Sequence, residues 1–172
     1  SEGETLPSAI TDSISKYVMT VSIDGDNYSF TNEAGQKFGY KNGSNHGADV
    51  NPYWTVTRNT AGEGMLVPNY EGFNIINTST GNRAISLSGW TFAFGAYFTN
   101  YMSGGNYNFS VDIFVMKEKE ADAAPAANYV RVTDLSEITA GSKIVIASRY
   151  NENANEYYAL PTTIQNNIPG VA

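Results

Sequence analysis

Apolar and polar residues alternate along this chain in short runs, and a period of two is the mark of a half-buried strand. Residues 17–23 alternate and end in Asp24-Gly25-Asp26-Asn27, which predicts a type I′ hairpin turn. Residues 28–32 then lead through the polar 33–36 to Lys37-Phe38-Gly39-Tyr40, predicting a hairpin over 28–40. Residues 41–52 read as a loop and 53–57 as a further strand. Residues 73–77 and 83–87, joined by Thr78-Ser79-Thr80-Gly81-Asn82, predict a second hairpin. Strands at 90–94 and 109–117 follow, separated by a loop around 103–106. No window of about 11 residues carries a helical period. Short helical turns are expected only near 7–14 or 135–138. The pattern predicts an all-β fold.

The texture changes after residue 117. Lys117-Glu118-Lys119-Glu120 is a charge run in which Glu118 and Glu120 read as a solvated face, and 121–128 is an Ala/Pro linker with nothing to bury. A new β pattern then begins at Tyr129-Val130-Arg131-Val132 and continues through Lys143-Ile144-Val145-Ile146. A third hairpin is predicted there, with its turn at 151–155 and its return at Tyr157-Tyr158-Ala159-Leu160. Some 44 residues without cysteine are too few to fold alone. The domain reading is therefore an incomplete β domain at 1–120, a linker at 121–128 and a complementing β segment at 129–172. That segment completes either its own chain or a neighbouring copy; Ser1 and Ala172 read as two sides of a cut within one module.

The three predicted hairpins share a design. Each has an alternating strand, a polar turn and a second apolar strand, and the first two are followed by strands led by Trp54 and Trp90. With the chain end joined on paper to its beginning, 17–21 takes the same place after the third. Ile144, Tyr28 and Phe73 then mark equivalent positions, spaced by 56 and 45 residues, which is the scale of an internal repeat. Phe73-Asn74-Ile75-Ile76-Asn77 and Trp54-Thr55-Val56 resemble the aromatic-x-Ile-x-Asn and Trp-x-Ile elements of β-trefoil lectins. The joined order resembles repeat modules of secreted multi-domain bacterial surface proteins, with 129–146 matching their opening and 111–117 their close. The resemblance implies a β-trefoil-like arrangement of three hairpin repeats, circularly permuted or strand-exchanged, and an extracellular, cell-surface location. A β-sandwich is the alternative.

Composition narrows the chemistry. Ten Lys and Arg against 17 Asp and Glu give a net charge of −7, the wrong sign for a nucleic-acid partner. No apolar run is long enough to predict a membrane-spanning helix. Without cysteine, and with His46 as the single histidine, no cofactor or metal is expected. His46, within Gly43-Ser44-Asn45-His46-Gly47-Ala48-Asp49, reads as a surface-loop residue rather than part of a triad. No nucleophile–base pair emerges, so no enzyme is expected. Trp54 and Trp90 are assigned to the core.

Two functions follow as expectations. The first is a structural or adhesive module that assembles head-to-tail with copies of itself by β-strand exchange. Its subunit contacts would be Tyr129, Val130, Val132, Ile144, Val145, Ile146, Tyr158 and Leu160. The second is a lectin-like module binding surface glycans through Tyr97, Asn100, Tyr101 and Tyr107, whose rings and amides suit stacking and hydrogen bonding.

Overall fold

The computed structural model describes residues 5–59, 71–100, 106–117, 129–149 and 157–164, and the backbone at 168–169. The linker, Glu118, Glu120, Tyr101 and the turn at 151–155 lie outside the described residues. The fold is all-β: its helical content among those residues is α1 (Ser8–Thr11) and 3₁₀ turns that include Ile14–Lys16 and Leu135–Glu137.

The strands are β1 (Met19–Asp24), β2 (Asn27–Thr31), β3 (Phe38–Asn42), β4 (Asn45–Ala48), β5 (Trp54–Asn59), β6 (Gly72–Asn77) and β7 (Arg83–Ser88). They continue with β8 (Ala93–Phe98), β9 (Tyr107–Asn108), β10 (Asp112–Met116), β11 (Tyr129–Arg131), β12 (Lys143–Arg149), β13 (Tyr157–Ala159) and β14 (Ile168–Pro169). Six of them pair antiparallel in a closed ring, in the order β10, β12, β1, β2, β5, β6 and back to β10. The last seam is the Phe73–Val111 pair, whose two N–H···O bonds are 2.8 and 2.9 Å.

Alternation along each strand sends every second side chain inward. Val21 faces Phe30, Val56 faces Ile75 and Ile113 faces Ile146 across the long ladders. Between them, Met19 faces Ile144, Trp54 faces Tyr28 and Val111 faces Phe73. All twelve belong to one core, Tyr28 as a half-buried member. Each fully buried side chain of this size contributes about 1.5–3 kcal/mol. Tyr28, Phe73 and Ile144 each face a partner at one of the ring's shorter joins. Their partners are Trp54, Val111 and Met19, so Val111 takes the position expected for Trp90.

A second, smaller core lies on the outer face of β10 and β12. Phe114, Val145 and Ala147 point there and are covered by Leu6, Ile10 and Tyr17 from the N-terminal segment and by Tyr129, Tyr157 and Ala159. Arg131 and Asp112 form a buried ion pair at 2.9 Å, and Arg131 Nη2 also donates to the Glu71 carbonyl.

Several local expectations change. β2 pairs with β1 and β5, not with residues 37–40; only the Thr31–Lys37 bridge survives from the predicted hairpin. β3 instead pairs with β4, inside the stretch read as a loop. The polar character of that stretch is that of an exposed hairpin in which His46 and Gly47 are buried. The β1–β2 turn has φ +61° at Gly25 but no positive φ at Asp26, so it follows the II′ pattern with glycine first, not I′.

Candidate functional site

The largest exposed aromatic of the described residues sits where the sequence pattern placed a core strand. Trp90 is 72% exposed. Ser88, Gly89 and Trp90 make a turn before β8 begins at Ala93. The Ser88 hydroxyl accepts from the N–H groups of Trp90 (3.1 Å) and Thr91 (3.3 Å), and the Ser88 carbonyl accepts from Phe92 N–H at 2.9 Å. Gly89 N–H donates to the Asn106 carbonyl. These four bonds bend the chain sharply and leave the indole outside.

Phe92 completes the turn with φ +55°, a left-handed conformation that costs a bulky residue about 1–3 kcal/mol. Its ring lies nearly parallel to Tyr158, 10° off with centroids 5.6 Å apart, which holds the strained residue in place. The turn thus places an exposed Trp90 beside a stacked Phe92.

Beside it, β9 pairs with β7, Ser88 opposite Tyr107. The Tyr97 and Tyr107 rings meet at 4.4 Å, tilted by 38°. Gly95 makes room for them: a Cβ there would lie 2.8 Å from the Tyr97 ring. Burial raises the Tyr97 phenol above its ordinary pKa, and Tyr107 raises it further; a hydrogen bond with the Ser88 hydroxyl opposes both. Two of the four residues expected to bind glycan therefore come together on this cap. Asn100 is exposed just past β8, and Tyr101 lies outside the described residues. On the same strand pair, Arg83 donates to the Ala96 carbonyl at 3.0 Å and lies 3.5 Å over the Phe98 ring. The cap offers aromatic faces and neutral hydrogen-bonding groups. Among the described residues no three acidic, His or Cys side chains gather as a metal site.

His46 is elsewhere and is not at the surface. It is 1% exposed against Phe38 (4.4 Å) and Trp54 (6.2 Å), and neither ring nitrogen makes a hydrogen bond. Burial lowers its pKa to about 3, and the nearby Gly39 backbone only partly opposes this. The expected subunit contacts face inward too. Val132, Ile144, Ile146 and Leu160 are in the main core, with Tyr158 packed against it; Tyr129 and Val145 are in the second. Val130 pairs with Val115 and bridges Thr5. Within one chain, the described residues of 129–149 and 157–164 thus pack against that chain's own strands.

The Asn of the trefoil-like motif, Asn77, is fully buried and donates to the carbonyls of Asn51 and Tyr53 at 2.9 and 3.3 Å. It ties strands and is not presented to a ligand. Trp90 escaped the sequence reading because its alternation with Phe92 and Phe94 imitates a strand. The signal that could have found it is Ser88-Gly89 immediately before it, which is turn chemistry. Comparison of the chain with protein-family models, with curated proteins and with solved structures found no match.

Proposed function

We propose that this chain is a non-catalytic, extracellular adhesive module with a β-trefoil-like, circularly permuted barrel, and that its ligands are surface glycans held on the Trp90–Tyr97–Tyr107 cap. The ring of six strands, with Tyr28, Phe73 and Ile144 in matching places, supports the trefoil-like reading. One observation carries the function: an indole 72% exposed on a turn fixed by Ser88. Such a ring offers its face and its N–H together, as stacking on a sugar ring requires. A glycan array with the intact chain should give binding that Trp90→Ala reduces at least tenfold with the melting temperature unchanged. Equal binding by the variant, or no binding to any glycan, would remove this assignment.

A second reading, head-to-tail assembly by exchange of 129–172, is favoured by the place of β12. It pairs with β10 on one side and β1 on the other, so its transfer between copies would preserve every contact while linking molecules. The chain has no cysteine, so a Thr20→Cys, Lys143→Cys pair reads this directly. Disulfide ladders on oxidation at high concentration support exchange, and a monomer alone refutes it.

A further inference from the structure

A second site, remote from the aromatic cap, lies on the outer face of the barrel where β12, β1 and β2 run side by side. Lys143 is opposite Thr20, and Thr20 is opposite Thr31. Their neighbours Ile144, Met19, Val21 and Phe30 point into the core, so these three side chains stand outward in one row. The N-terminal segment rises over the row and leaves a cleft of about 310 Å³, its walls including Ile14, Val18 and Met116. Tyr129, opposite Met116 on β11, also lines it. Tyr129 is 3% exposed, and burial raises its phenol above the ordinary pKa, so the hydroxyl stays protonated as a donor. Lys143 has no ion partner among the described residues, and Glu33 stands at the mouth.

We infer that this cleft binds a single carboxylate-bearing sugar residue of the hexuronic-acid type. Four donors converge there, one ammonium and three hydroxyls, and all are mounted on strands, which hold geometry better than loops do. One cation matches one negative charge, and an ammonium–carboxylate bond is stronger than a neutral one. The apolar wall of Ile14, Val18 and Met116 suits the C–H face of a pyranose, and Glu33 can accept from a ring hydroxyl. The volume is at the small end of ligand pockets, about 300–1,000 Å³, which fits one or two rings. In a chain of net charge −7, selection of an anion must come from this local arrangement and not from the overall field.

Titration of the full chain with methyl glucuronide, methyl glucoside and acetate, followed by amide NMR shifts, tests the site. Glucuronide should move the resonances of Thr20, Thr31 and Lys143 and bind at least tenfold more tightly than either glucoside or acetate. Lys143→Gln should abolish the preference over glucoside, and Tyr129→Phe should weaken glucuronide about fivefold; thermal melts of both variants report whether the fold is kept. The shifts are read at Thr20, Thr31 and Lys143, which line this cleft and not the aromatic cap, so failure here and failure of the cap are separate results. Equal affinity for glucuronide and glucoside, binding of acetate as tight as glucuronide, or an unaltered preference in Lys143→Gln would overturn the inference.

Discussion

Protonation of one buried ring should govern how this protein responds to acid. His46 packs between Phe38 and Trp54, with neither nitrogen hydrogen-bonded. In the unfolded chain its pKa is about 6.5; in the fold, burial holds it near 3. Above 6.5 both states are neutral and the histidine contributes no pH dependence. Below 6.5 the unfolded chain takes up a proton that the folded chain refuses, so stability falls by about 1.4 kcal/mol per pH unit until pH approaches 3. Between pH 7.5 and 4.5 the loss is roughly 3 kcal/mol, a large part of a typical domain's 5–15 kcal/mol. His46→Phe and His46→Leu should remove this slope, whatever either does to stability at neutral pH through volume. Urea unfolding followed by circular dichroism at half-unit steps from pH 7.5 to 4.5 measures it. The difference between wild type and variant cancels the carboxylates common to both. If the two stability curves run parallel through this range, His46 is either hydrated or already paired in the fold, and the argument fails.

Other expectations are simpler to read. Asp112→Asn removes the Asp112 charge from the buried Arg131 guanidinium and should cost about 3–5 kcal/mol in urea unfolding; a cost under about 1 kcal/mol would mean that Arg131's other contacts suffice. Gly72→Ala places a Cβ 2.6 Å from Ser110 Oγ and 2.7 Å from the Val111 carbonyl oxygen. It should destabilise by about 1–3 kcal/mol and speed hydrogen exchange at Phe73 and Val111 before other strands. Burial alone would raise the Glu137 carboxyl, but hydrogen bonds from Thr133, Lys117 and Asp134 N–H outweigh it and bring the pKa to about 2. Its contribution is therefore full above about pH 4.5 and lost as pH falls toward 2; Glu137→Gln should flatten that part of the melting-temperature profile.

Strand identity was legible wherever alternation met a turn of the right chemistry: 17–23, 73–77, 83–87 and 144–148 all form strands near the expected bounds. Partner choice was not. Residues 28–32 and 37–40 look like a hairpin because they are adjacent, apolar and joined by polar residues. In the fold, Asn32 closes that turn locally, taking Gln36 N–H on its Oδ1, while the two strands go to different partners. Period-two patterning carries the face of a strand but not the identity of its neighbour. His46 was misplaced for a related reason: glycines on both sides look like a loop, whereas Gly47 lies against Lys41 within the β3–β4 hairpin and Gly39 lets β3 approach the chain just past β4, where a Cβ would collide with the Val50 carbonyl oxygen. The four residues expected to bind glycan were only partly brought together. Tyr97 and Tyr107 do meet, but Trp90, the most exposed of the cap's rings, was hidden by a pattern it shares with buried strands.

The ring of six strands is unevenly stitched. The β1–β2, β5–β6 and β10–β12 ladders hold five, six and four residue pairs, whereas β2–β5 and β6–β10 meet at one pair each and β12–β1 at two. Mechanically this is a cask of three stout staves whose seams are narrow. Force across the β2–β5 or β6–β10 seam meets one bridged pair, the β12–β1 seam adds bonds from Val21 to Ser142 and Gly141 to its two pairs, and force along a stave must shear four to six pairs together. The β12–β1 seam joins the strands that carry Lys143 and Thr20, so a ligand bridging that row would act as a hoop across a join between two staves.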